Sequence, residues 1–274
     1  MTVPVLAPTT PLTSAFTRIT EVVPSLRISE EAPRRGDGWL GGDELAAGGA
    51  ALDTLLAWDD ESIAADYGQR ARPDVVAGFA LHRYAWPVAV LFTAPHFLLR
   101  RVPLLAPGDV SFHRGERRMT VRPGAFACLA DDPAVDHPGA RPVADEEALR
   151  ATVRRAAADH LGPVLAAFGP RMRRGPRALW GTATDELVEA LWYVGSLLGE
   201  EERAVAEAGQ LLPGAVTPFA RGASFRELTG PEGEALRTRD RASCCMFYTL
   251  RPEDTCVTCP RTCDGERITR LAAS

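Results

Sequence analysis

The sequence predicts an α+β protein, with a helix-rich body, one small antiparallel sheet near the middle and a short cysteine-bearing segment at the C-terminal end. Three observations lead there. Apolar residues recur at helical spacing over most of the chain. Two β-like runs flank a turn signal at Gly115–Glu116. Cys244, Cys245, Cys256, Cys259 and Cys263 crowd into the closing stretch RASCCMFYTLRPEDTCVTCPRTCDGER, which is too short to hold a core of its own.

A first helix is expected over residues 12–27, where Phe16, Ile19, Val23 and Leu26 make one stripe. Residues 28–42 are rich in Gly and Pro and read as a loop. Asp43 is a candidate cap for a helix through Leu45, Leu52 and Leu55, weakened by Gly48–Gly49. DESIAADYGQRAR reads as a further short helix. The nearly continuous apolar run of residues 74–94 reads as a buried helix bent at Trp86–Pro87. VSFHR and RRMTVRP form the expected hairpin, and GAFACLA adds a strand. Residues 145–168 and a segment ending at Leu212 are helical by period, the second stopped by Pro213–Gly214. Between them, RMRRGPR at 171–177 reads as a basic loop, and Thr182 with Asp185 as the capping box of another helix. The pattern divides into a body over residues 1–240 and a metal-binding segment over 241–274.

Composition narrows the function. Apolar content of 46% and charged content of 24% over 274 residues are those of a globular chain able to bury a large core. A net charge of −5 argues against a general nucleic-acid binder. No apolar run reaches eighteen uncharged residues, so no transmembrane helix is expected. The opening MTVPVLAPTTPLTSAF has no basic stretch followed by an apolar one, so no signal peptide is expected. A cytoplasmic location, which keeps thiols reduced and available to metal, follows as the expectation. The chain has no lysine: its 31 basic residues are all arginine.

The cysteine spacing carries the chemistry. Cys244, Cys245, Cys256 and Cys259 fall in the pattern C-C-x10-C-x2-C, with Pro260 directly after the last. Soft thiolates select zinc or iron–sulfur clusters. Zinc sites usually pair two C-x2-4-C knuckles, whereas here only Cys256–Cys259 makes one. Neighbouring side chains on an extended backbone point apart, so the chain has to turn at Cys244–Cys245 for both sulfurs to serve one site. Spacing alone favours iron–sulfur over zinc, and zinc over a disulfide framework. Three functions follow from these options: a redox carrier, an iron–sulfur sensor of redox or iron status, and a zinc-clipped binding protein without redox activity.

Arg241, Cys244, Cys245, Tyr248, Cys256, Cys259 and Pro260 together resemble the C-terminal signature of the FhuF-like ferric siderophore reductases. The resemblance covers about 20 residues. It implies that Cys244, Cys245, Cys256 and Cys259 bind one [2Fe-2S] cluster. It further implies that the cluster passes an electron to iron(III) held by a hydroxamate-type siderophore, a ferric-chelate reductase activity. Cys263 departs from the pattern as a fifth cysteine, either a spare thiol or a replacement ligand. Cys128 lies in apolar surroundings and reads as a core residue.

Other candidates are weaker. The five histidines show no i,i+4 or H-x-H pairing, so no second metal site is expected. There is no P-loop, no G-x-G-x-x-G after a strand and no G-x-S-x-G. Electrons are therefore expected from an external carrier such as a ferredoxin or flavodoxin. Arg171, Arg173, Arg174 and Arg177 are candidates for docking that acidic partner, against the plainer reading of a solvated loop. Trp39 and Trp180, beside glycines, and Arg241 and Tyr248, beside the cysteines, are candidates for a substrate cleft. Trp86 and Trp192 read as core.

Overall fold

The computed structural model describes residues 10–273; residues 1–9, where most of the stretch read for a leader falls, lie outside the described residues. Eight α-helices and nine short strands are present among the described residues, which is the α+β class. The chain opens with α1 (Thr13–Val22), whose Ala15, Phe16 and Ile19 are buried. It then turns into β1 (Arg27–Glu30) and, beyond a bend, β2 (Trp39–Gly41). The stretch expected to be a loop therefore holds two strands. Their partners are remote: β1 runs parallel to residues 118–121, and β2 runs antiparallel to residues 111–113. Local composition carries no record of such pairings.

Helix α2 (Gly42–Ala47) starts with the Gly41 N–H donating to Glu44 Oε2 at 2.7 Å, while Asp43 pairs instead with Arg35 at 2.7 Å. Gly48, at φ +74°, divides α2 from α3 (Gly49–Tyr67). A side chain would be strained there. DESIAADY continues α3 rather than forming a helix of its own. The apolar run becomes α4 (Pro73–Leu99), with Pro87 and Pro95 inside it. α4 is long and apolar enough to cross a membrane, but 72% of its most apolar window is buried inside the protein. It is the central helix, against which α1, α3, α5 and α6 pack.

Strand β3 (Val102–Leu104) leads to the expected hairpin, β4 (Val110–His113) and β5 (Arg118–Val121), turning at residues 114–117. The first sheet has the order β1-β5-β4-β2. β3, β6 (Ala125–Leu129) and β7 (Ala140–Val143) make the second, with Cys128 fully buried at its centre. Helix α5 (Glu146–Met172) is capped by Asp145 and runs on through Pro163 and Pro170. His160 on α5 is buried between Tyr84 Oη at 3.0 Å and the Leu105 carbonyl at 3.1 Å. A carbonyl only accepts, so Nδ1 carries the proton and Nε2 accepts from Tyr84.

Helix α6 (Pro176–Leu197) begins earlier than the sequence suggested. Pro176 occupies its first turn, where a missing N–H costs nothing. Thr182 and Asp185 therefore lie inside the helix, buried, rather than at its start. Helix α7 (Glu201–Leu211) follows, then an antiparallel hairpin of β8 (Phe225–Thr229) and β9 (Ala235–Arg239). The cysteine segment comes next, with a short turn of 3₁₀ helix at Phe247–Thr249, and α8 (Asp264–Leu271) closes the described chain.

Candidate metal centre

The cysteine segment is held from several sides. Phe247 sits edge-on to Tyr67 of α3, with ring centroids 5.8 Å apart, and lies 6.3 Å from Phe79 of α4. Leu250, 4% exposed, packs on Ile63 and Val76, and its carbonyl accepts from Gln69 Nε2 at 2.8 Å. Burying one such leucine stabilises the docked segment by about 2 kcal/mol.

Asp185 supplies the polar anchor. It is fully buried on α6. Its carboxylate accepts from the backbone N–H groups of Ala242 and Ser243 and from Ser243 Oγ, each at 2.8 Å. Arg239, itself 1% exposed, adds a fourth bond at 3.1 Å. A single carboxylate thus fixes the backbone immediately before Cys244. At Gly181, one turn earlier on α6, a Cβ would come within 3.2 Å of the Ala242 carbonyl, so glycine lets helix and segment meet this closely.

Downstream, α8 clamps the second half of the segment. Arg267, 2% exposed, reaches Asp240 at 2.7 Å and the Cys259 carbonyl at 3.0 Å. Arg270 holds the Thr255 carbonyl. The cysteine spacing carries no sign of either contact; the signal for α8 is the recurrence of Arg267, Ile268 and Leu271 at helical spacing.

The chain turns just after the tandem pair, where Met246 adopts the left-handed region at φ +66°, and a 3.0 Å bond from the Cys259 N–H to the Cys256 carbonyl closes a second turn. None of the cysteines is in a disulfide. Each of the four sulfurs is met by a donor two residues on: Met246 N to Cys244 at 3.4 Å, Phe247 N to Cys245, Thr258 Oγ1 to Cys256 at 3.7 Å and Arg261 N to Cys259 at 3.5 Å. Hydrogen bonds to sulfur favour thiolate ligands and tune the clusters they carry. The Cys263 sulfur receives no such bond among the described residues; Cys263 caps α8 and is exposed.

Residues 241–261 match the model of the FhuF 2Fe-2S C-terminal domain. The segment is FhuF-like, and its cofactor is a [2Fe-2S] cluster. The match does not extend into the helical body, and no curated protein matches the chain. The donor set fits this cofactor. It offers four free cysteines on two turns, each sulfur already supported by a hydrogen-bond donor. Among the described residues no three His, Cys, Asp or Glu side chains converge on one point.

Charge around the FhuF-like segment is arranged on α6 and α4. Burial pushes the Cys245 thiol up, while the Phe247 N–H and the Arg241 guanidinium favour its thiolate. Arg241 is itself desolvated, yet Asp185 at 3.6 Å and Glu186 at 3.9 Å hold its charge firmly in place. Glu186 also takes His82 Nδ1 at 2.8 Å and raises the pKa of that ring against burial. Glu186 Oε2 and Arg241 Nε are buried without a hydrogen-bond partner. These groups, with Gly78 and Arg174, line a narrow crevice beside Cys244 and Cys245.

The remaining candidates are dispersed. Tyr248 stacks under Arg261, 4.0 Å from its guanidinium, at the edge of the segment. Trp39 is 7% exposed on β2, against His113 and between Arg34 and Arg118. Trp180 packs on Phe219 at 5.6 Å. Arg171 pairs with Asp53 at 2.5 Å. Arg174 reaches the crevice, and Arg177 lines a shallow cavity with Arg221 and Ala242. Trp86, read from the sequence as core, is half-buried and lines a cavity on the face of α4 leading away from the cysteines.

Proposed function

We propose that this chain is a cytoplasmic ferric-chelate reductase, acting by one-electron reduction of iron(III) in a hydroxamate-type siderophore and releasing iron(II). The observation that carries this reading is the set of four sulfurs, each supported by a donor, beside a crevice floored by Arg241 and Glu186. When bound, the [2Fe-2S] cluster supplies the one-electron couple; each ~59 mV of driving force shifts a one-electron equilibrium tenfold. Hard hydroxamate oxygens hold iron(III) far better than iron(II), so reduction loosens the metal.

The chain's own residues then have distinct tasks. Arg241 keeps a fixed positive charge close to Cys245 and favours the more negative state of the site. Asp185 and Glu186 hold Arg241 in place and limit how much positive charge it presents. Phe247 and Leu250 exclude water from the inner side of the segment, leaving Tyr248 and Arg261 at its outer edge. Arg173 and Arg174, between α5 and α6, and Arg177, in the first turn of α6, suit an acidic donor such as a ferredoxin or flavodoxin, and docking there weakens with added salt.

Anaerobic stopped-flow tests the reaction. Reduced protein mixed with a ferric trihydroxamate and an iron(II) trap is expected to re-oxidise as trapped iron(II) appears one for one. NADPH alone is not expected to reduce the protein, whereas a reduced ferredoxin or flavodoxin is. Protein that stays reduced in excess ferric hydroxamate, for several chelates of different charge, would overturn the reading.

A further inference from the structure

Gly78, His82 and Trp86 fall at i, i+4 and i+8 on α4 and so share one face of the helix. Gly78 stands against the cysteine segment, where a Cβ would come within 3.8 Å of the Cys245 carbonyl. His82 lines the crevice beside Cys244 and Cys245 and also a separate cavity of about 290 Å³. Trp86 lines the cavity but not the crevice, roughly 12 Å along the helix axis from Gly78. One helix face therefore leads from the metal centre, past a histidine, into an open cavity.

The cavity is cationic. Arg83, Arg114 and Arg117 line it together with Ser62, His82 and Trp86. Beneath it, the fully buried Asp59 accepts from Arg83 Nη1 at 2.5 Å and from Arg114 Nη2 at 2.6 Å. Two guanidiniums on one carboxylate leave positive charge in excess. Arg117, exposed at the β4–β5 turn, adds a cation without an ion pair among the described residues. Asp66 on the rim offsets part of this, and the His82 charge is met by Glu186 behind it. Arg114 Nε and Asp59 Oδ2 are buried with no hydrogen-bond partner. Arg117 thus leaves a guanidinium fork free at the cavity, and a planar carboxylate is the group such a fork binds with two parallel bonds.

We propose that this cavity receives the iron chelate and selects chelates that carry a free carboxylate and a net negative charge; the assignment rests on the reductase reading above. The volume lies at the lower edge of small-molecule sites. It admits one carboxylate-bearing arm, set between Arg114 and Arg117 with Trp86 as the apolar wall, while the metal end of the chelate rests toward His82.

Gallium(III) chelates, which bind as the iron(III) forms do but are not reduced under these conditions, separate binding from electron transfer. Titrations of cluster-loaded protein, followed by tryptophan fluorescence, would compare a citrate-based dihydroxamate chelate with a neutral trihydroxamate chelate. The anionic chelate is expected to bind at least tenfold more tightly. Arg117→Glu, on the surface, is expected to weaken the anionic chelate at least tenfold while the neutral one changes less than twofold, with the visible spectrum of the cluster and the far-UV spectrum unaltered. Equal affinity for the two chelates, or no effect of Arg117→Glu, overturns the cavity assignment even if both iron(III) forms are reduced. Tight, Arg117-dependent binding of the anionic gallium chelate supports the cavity even if neither iron(III) form is reduced, in which case the reductase reading alone falls.

Discussion

Removing the Asp185 carboxylate should release the metal centre from the body without unfolding the body. The buried carboxylate accepts four hydrogen bonds, from Ala242 N, Ser243 N, Ser243 Oγ and Arg239. A hydrogen bond to a charged group contributes about 1.5–3 kcal/mol, but four bonds sharing one acceptor do not add independently. Breaking a buried ion pair by deleting one partner costs about 3–5 kcal/mol, because the other charge stays buried. Arg239 keeps Glu189 at 2.9 Å as a second partner, which places Asp185→Ala within that range rather than above it. In a chain of this size, that corresponds to a fall in Tm of about 6–20 °C if docking and folding are coupled. Asp185→Asn retains one acceptor and should lose less. The assay is far-UV melting together with visible absorbance and circular dichroism of the cluster per mole of protein. Asp254→Asn, on an exposed carboxylate of the same segment, is the control and should move stability by less than about 0.5 kcal/mol. If Asp185→Ala matches the wild type within 1 kcal/mol and loads a full cluster, the carboxylate is not the anchor.

Serine in place of Cys244, Cys245, Cys256 or Cys259 should bleach or strongly shift the visible spectrum, whereas Cys128→Ser and Cys263→Ser should not; a normal spectrum in any of the first group removes that residue from the ligand set. His160 is buried neutral, and desolvation lowers its pKa from 6.5 to about 4 despite the Leu105 carbonyl. The unfolded chain therefore binds the extra proton first, so this site's stability is whole above pH 6.5 and about 3 kcal/mol is lost as pH falls to 4. His160→Gln should flatten stability against pH in that window, and an unchanged slope would show that the ring does not titrate there. Glu207 is the opposite case: burial works against its charge, but hydrogen bonds from His96 and Arg150 bring its pKa from 4.5 down to about 2. Its contribution, of the order of 3 kcal/mol, is present above pH 4.5 and lost between 4.5 and 2. The gap in denaturant stability between wild type and Glu207→Gln should close over that range, and a gap that is independent of pH would rule out the charge as its source.

The sequence by itself determined the class of the protein and the identity of its cofactor. Both are local properties. The helical stripes of α1, α4 and α5 and the turn between β4 and β5 are written in neighbouring residues. The cysteine set is a spacing, and thiolate chemistry follows from the residue type wherever the chain places it. Tertiary structure decided what surrounds that set. Asp185 and Thr182 read as a helix start because their spacing imitates a capping box; the early start of α6 at Pro176 turns them inward, where Asp185 anchors the segment. β1 and β2 arise in a Gly/Pro-rich stretch because strands 70 or more residues later offer them edges. Trp86 and His82 lie in a run whose period says only that it is buried; the packing of α3 and the β4–β5 turn leaves one face of that helix open and brings Arg114 and Arg117 to it. A site assembled from distant segments depends on contacts made only after the chain has paid its conformational entropy, and no window of sequence contains those contacts.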